Sequence, residues 1–186
     1  MVINKKTIVT DDNKLIREKS KTVPLPLSDE HKEILKSLYE YVYNSTIEEI
    51  ATKEGLQPAV GIAAIQIGKP LKMLAVVLKD EEGKEVCKYA LANPKILSHS
   101  IENAYLKSGE GCLSVPAEHQ GYVYRHARIK IKAYDLFEDK EIIIKAKGYL
   151  AIVLQHEMDH FSGTLYYDHI NKDNPFYEDP DAICIE

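Results

Sequence analysis

The chain has 186 residues, 45% of them hydrophobic and 28% charged, with a formal net charge of −5. That composition describes a globular protein with enough chain for a substantial core, expected as one domain over residues 1–186. The acidic balance argues against nucleic acid as the main partner, and no run approaches the roughly 18–20 apolar residues of a membrane span. Met1 to Lys6 is not followed by the apolar stretch of a secretion signal, so a cytoplasmic location is expected. Three cysteines at unrelated spacings, Cys87, Cys112 and Cys184, are no disulfide framework and point to free thiols or a metal ligand.

In chain order, residues 11–19 and 28–50 are predicted helices. Ser28 suits the N-cap of the second, and Ile34, Leu35, Leu38, Val42 and Ile47 recur along it at a helical period. Between them Val23 to Leu27 is extended, because Pro24 and Pro26 each disfavour helix in the preceding residue. Residues 59–68, from Ala59 to Gly68, are small and apolar with a single amide, Gln66, and read as a tightly packed pass of the chain. Met73 to Leu78 is a predicted buried strand, and Asp80 to Gly83 the turn after it. Glu85 to Ala90 is a further strand, and Tyr89 to Pro94 leads to another near Ile96. Residues 122–134 alternate apolar and polar, Leu136 to Lys140 makes a hairpin turn, and Glu141 to Lys145 is β-branched. After Gly148, the run from Tyr149 to Leu154 is apolar nearly all round if helical, which implies deep burial. The expected class is α+β, with mixed or antiparallel strands packed around this buried helix. Residues 171–186 read as a loosely held polar tail.

The buried run continues into Gln155-His156-Glu157-Met158-Asp159-His160. Positions four apart share one face of a helix, so His156 and His160 can grip one metal ion. Glu157, beside the first histidine, then reaches a water activated by that ion, the arrangement of HExxH hydrolases. A catalytic site of this kind wants a third protein ligand and an open position. Tyr166 stands where one protease group carries a third histidine, and Glu178 is at the distance where another carries a glutamate. Upstream, Cys112 lies between Gly111 and Leu113 in Gly109 to Pro116, where glycines let backbone approach a ligand and a thiolate could bind. The spacing alone leaves these three open.

Taken together and in this order, Gly61-Ile62-Ala63-Ala64-Ile65-Gln66, Glu110-Gly111-Cys112-Leu113-Ser114 and Gln155 to His160 resemble the three motifs of the peptide deformylase family. The likeness runs from about Leu15 to about Ile170, and the long interval between Gln66 and Cys112 is similar to that of the Gram-positive-type branch. Two positions depart from the family pattern: Ala59 replaces a usual glycine, and Pro116 a frequent aspartate.

The resemblance implies removal of the formyl group from the formyl-methionine of nascent polypeptides, with release of formate. It implies Cys112, His156 and His160 as metal ligands, Glu157 as general acid-base, and the Gln66 amide and Leu113 N–H as oxyanion donors. By the same analogy Gly61, Tyr122 and Val153 wall the methionine pocket, while Glu110, paired with Arg125, braces the site from behind. Ferrous iron is the implied cofactor, with nickel, cobalt or zinc able to substitute. A formyl-methionyl peptide is the expected partner, and the ribosome near its exit tunnel a second. Two other readings share the helix motif: a metallopeptidase cutting internal bonds, whose third ligand follows His160, and a closed structural metal site, in which Glu157 is dispensable.

Overall fold

The computed structural model describes residues 2–186 and is α+β, as the sequence predicts. Its helices are α1 (Asp29–Ser45), α2 (Glu48–Glu54) and α3 (Gly148–Asp159). Strands β1 (Gly61–Ala63), β2 (Met73–Lys79), β3 (Glu85–His99), β6 (Arg128–Asp135) and β7 (Lys140–Lys147) form an antiparallel sheet in the order β1-β2-β3-β6-β7. A smaller sheet joins β5 (Arg125–His126), β4 (Asn103–Leu106) and β8 (Ile183–Ile185), with β4 and β8 parallel.

The larger sheet is covered on both faces at its β1-β2-β3 end, which explains why β2 is a continuous apolar run rather than an alternating one. Leu74 and Val76 point into the core under α3, whereas Met73, Ala75 and Val77 point into a second core under α1. At the other end one face meets water. Ile129, Ile131 and Ala133 of β6 enter the α3 core while Arg128, Lys130 and Lys132 between them are exposed. The face carrying α3 is the one that matters for chemistry: Ala151, Ile152, Val153 and Leu154 are buried there, holding the following residues at fixed depth.

Several elements differ from expectation. Residues 11–19 form only a 3-10 turn, Lys14–Arg17, with Ile16 its one buried residue. No apolar residue recurs three or four positions on, and the Asn13 side chain accepts from the Leu15 N–H, so nothing propagates the helix. The predicted helix 28–50 breaks after Ser45. There the Ser45 hydroxyl turns to the Val42 and Ala59 carbonyls, and Thr46 to Tyr43, so side chains compete with the helical ladder. The two strands expected between Glu85 and Ile96 are one long β3, bent by register shifts around Asn93, whose φ is 53°. The stretch 122–134 is not one strand. It divides at Ala127, whose N–H donates to Glu102, and its first part joins the smaller sheet. The tail carries a strand: β8 lies along β4, and the Tyr122 N–H donates to Pro175 at 2.8 Å.

Candidate metal centre

Three chain segments meet over the sheet. The last turn of α3 brings His156 and Glu157, the 3-10 turn after it brings His160, and the loop after β4 brings Cys112. One ligand atom from each of Cys112, His156 and His160 lies within 4.8 Å of the others, and Cys112 Sγ is 3.4 Å from His160 Nε2. Tyr166 and Glu178 are not in this group: the Tyr166 ring stacks on His156 with its hydroxyl accepting from the His119 N–H, and Glu178 is exposed in the tail. Of the three candidates for the third position, Cys112 is the one whose side-chain ligand atom lies with the two imidazoles.

The ring of His156 is oriented from behind. Its Nδ1 donates to Glu110 Oε2 at 2.8 Å, which leaves Nε2 for an ion. Arg125 grips the same carboxylate through Nε at 2.6 Å and Nη2 at 2.9 Å, and reaches Asp159 through Nη1 at 2.8 Å. His169 Nε2 lies 2.7 Å from Asp159, closing a row of five groups. Both Glu110 and Arg125 side chains are only 4% exposed. Burial alone would raise the Glu110 pKa, but its bonds to His156 and Arg125 outweigh this and hold it below the ordinary value. A buried pair of this kind contributes little net stability; its value here is a fixed imidazole.

Glu157 is the opposite case. It is 4% exposed, its Oε2 has no partner among the described residues, and burial pushes its pKa up to about 7. A buried carboxylate oxygen without a partner, in the wall of the cavity that Cys112 and His156 also line, fits an ion and a water at this place. Burial, with the charge of His156 next, pushes the pKa of His160 down to about 3, so it is a neutral ring ready to ligate.

Gln66 lies in the 3-10 turn after β1 and is 2% exposed. Its Oε1 accepts from the Ala63 N–H at 2.8 Å, which fixes the amide the right way round. Its Nε2 donates to the buried Ser114 hydroxyl at 3.1 Å and points at Cys112 Sγ at 3.5 Å. Beside this centre opens a cavity of about 460 Å³, with Gly61, Gln66, Leu113, Val153 and Glu157 in its wall. Ala59 is also in the wall, so its extra methyl bears on the cavity shape.

Tyr122 is not in that wall. Its ring packs between Tyr105 and Phe176, held by the β4 side of the smaller sheet and the tail, and that placement corrects the analogy. Gly61 has a second reason to be glycine. A Cβ there would stand 2.6 Å from Glu157 Oε1 and 2.9 Å from Cδ. Gly61→Ala is therefore expected to push the carboxylate aside and lower turnover on the order of 100-fold, the cost of a misplacement of about 1 Å. Metal content, measured by elemental analysis, should stay unchanged; full activity in this variant would show that Glu157 needs no such clearance.

Sequence reasoning missed Ser114 and His169 as parts of the site. Ser114 stood in the quoted motif and was legible there as a polar group following the ligand. His169 had no local signal, because only folding sets it against Asp159.

A family model described as polypeptide deformylase matches residues 5–176. The chain is 49% identical to peptide deformylase 2 of Bacillus subtilis over 185 residues, 100% of both chains. It is 43% identical to a peptide deformylase of Staphylococcus epidermidis over 182 residues, 98% of this chain and 99% of that one. These relatives agree with the Gram-positive-type likeness. Among solved structures, peptide deformylase from Ehrlichia chaffeensis is similar at a TM-score of 0.70 and 30% identity, over 94% of this chain and 91% of that one.

Proposed function

Because this chain belongs to the polypeptide deformylase family, we propose that Cys112, His156, His160 and Glu157 act together on the N-terminal formyl-methionine of nascent polypeptides, releasing formate. The observation that carries this reading is one thiol converging with two imidazoles beside a buried, unpartnered carboxylate. Ferrous iron is the proposed ion, with nickel, cobalt or zinc as substitutes, since a sulfur and two imidazoles suit several of these. When bound, such an ion supplies Lewis-acid activation of water.

The chain's own groups supply the rest. Glu157 takes the proton of the attacking water and returns it to the departing amine. The Gln66 amide, already aimed at the centre, donates to the oxygen that becomes negative as the formyl carbon turns tetrahedral, and the Leu113 N–H is the second donor. Glu110 and Arg125 keep His156 in one tautomer and orientation. Gly61 and Val153 bound the space for the methionine side chain. Residues 1–186 work as a single catalytic unit in the cytoplasm, near the ribosomal exit tunnel where such substrates emerge. No helix among the described residues is long and apolar enough to cross a membrane.

Formyl-Met-Ala-Ser, supplied anaerobically with the iron-loaded and then the nickel-loaded protein, tests this. One formate per intact Met-Ala-Ser is expected. Cleavage of the Met-Ala bond without formate would replace deformylation with the peptidase reading.

A further inference from the structure

We infer that Arg17 is a positioning residue: with the segment 9–20 it forms a brace that keeps the three pieces of the metal centre at one separation. The inference rests on the metal-dependent reading above, since an ion shared by Cys112, His156 and His160 is what makes that separation matter. The Gln66 turn, the Cys112 loop and the His160 turn come from distant parts of the chain, and residues 9–20 bond to the backbone of each. The Val9 N–H donates to the Gln66 carbonyl at 2.7 Å. The Asp11 N–H donates to the carbonyl of Ser114, just past Cys112, at 2.8 Å. The Ser20 N–H donates to the carbonyl of Phe161, next to His160, at 2.9 Å. Such bonds leave the reacting side chains free while fixing their backbones, and a working site needs its groups held to within about 0.5 Å.

Arg17 fastens the brace to the stretch that follows His160. Its Nη1 donates to the Gly163 carbonyl at 3.1 Å, and Nη1 and Nη2 together grip the Asp168 carboxylate. Nη2 also donates to the Tyr167 hydroxyl at 2.8 Å, and that hydroxyl donates to Asp11 Oδ2 at 3.4 Å, which closes the loop back onto the brace. A planar guanidinium with five donors suits three acceptors at fixed places. The two backbones touch at Gly163, whose φ is 74° and where a Cβ would stand 2.1 Å from the Arg17 carbonyl oxygen. Ile16, 0% exposed in the core under α3, anchors the same turn. Arg17 is not in the wall of the cavity, so its effect on turnover runs through placement alone.

The test loads cobalt into the wild type, Arg17→Met, Asp168→Asn and a control, Val42→Ala. It follows melting temperature, visible absorption of the bound cobalt, loss of cobalt to a chelator, and kcat and KM on formyl-Met-Ala-Ser. Val42 is fully buried in the core under α1, so truncating it lowers stability without touching the brace. Arg17→Met should lose cobalt faster by about tenfold, the low end for groups that orient a ligand. Its cobalt spectrum should change, and kcat should fall with KM unchanged. Asp168→Asn, which keeps its shape and removes the charge that Arg17 grips, should move the same readings in the same direction. Val42→Ala should melt lower yet keep the wild-type spectrum and metal retention. Arg17→Met decides where it folds, and Asp168→Asn where it does not. Wild-type retention, spectrum or kcat in the deciding variant, or equal losses in Val42→Ala, would overturn the inference while deformylation itself stands. A wild type that holds no cobalt would overturn both readings.

Discussion

Replacing Glu157 by glutamine is expected to lower deformylation by a factor of about 10²–10⁴, the usual contribution of a positioned acid-base group. The side chain keeps its shape, so the clearance over Gly61 and the packing of α3 are preserved and the loss is chemical. Metal content should not change, because the carboxylate is not in the ligand group. The same variant is expected to gain thermal stability in the metal-free protein. The carboxyl has an ordinary pKa of 4.5, raised by burial to about 7, so the folded chain holds its proton more tightly than the unfolded one. Stability contributed by the protonated form is fully present below pH about 4.5 and is lost as pH rises through about 7. Melting temperatures of the chelated wild-type and Glu157→Gln proteins should therefore nearly coincide at low pH and diverge towards neutrality, the variant melting higher. Unchanged formate release in this variant would remove Glu157 from the mechanism.

Cys112→Ala should abolish activity by a different route. Outer partners of a metal ligand are already worth about 10–100-fold in affinity, so a direct ligand is expected to cost more than 100-fold. Cys112 also supplies the one sulfur in the group, and a divalent ion held there would lose its single thiol donor with the substitution. Metal titration should show the affinity loss, with formate release falling in parallel at limiting metal. Retained metal together with full activity would mean that the third ligand lies elsewhere, as the internal-peptidase reading requires.

How legible the protein was depended on the reach of each signal. The two histidines at the end of α3 were readable because their spacing is local: two imidazoles four apart and an apolar run before them specify a buried helix and its face. Strand β2 was readable for the same reason. The break after Ser45 was not, because helical periodicity continues through it to Ile47 and the Ser45 hydroxyl at the end of the helix bonds to Ala59, fourteen residues on. Tyr122 was misplaced because an aromatic residue between motifs carries no sign of which wall it will join.

By itself the sequence determined the residue types of the site, the helix that presents two of them, and the α+β class, since these follow from local periodicity and the chemistry of side chains. Only the tertiary structure decided that Cys112 and not Tyr166 or Glu178 meets the two histidines, that Arg125 fastens Glu110 behind His156, and that Gly61 makes room for Glu157. Those contacts join Cys112 to His160 across 48 positions and Glu110 to His156 across 46. At such separations no periodic pattern links the partners; the packing of sheet against α3 brings them together.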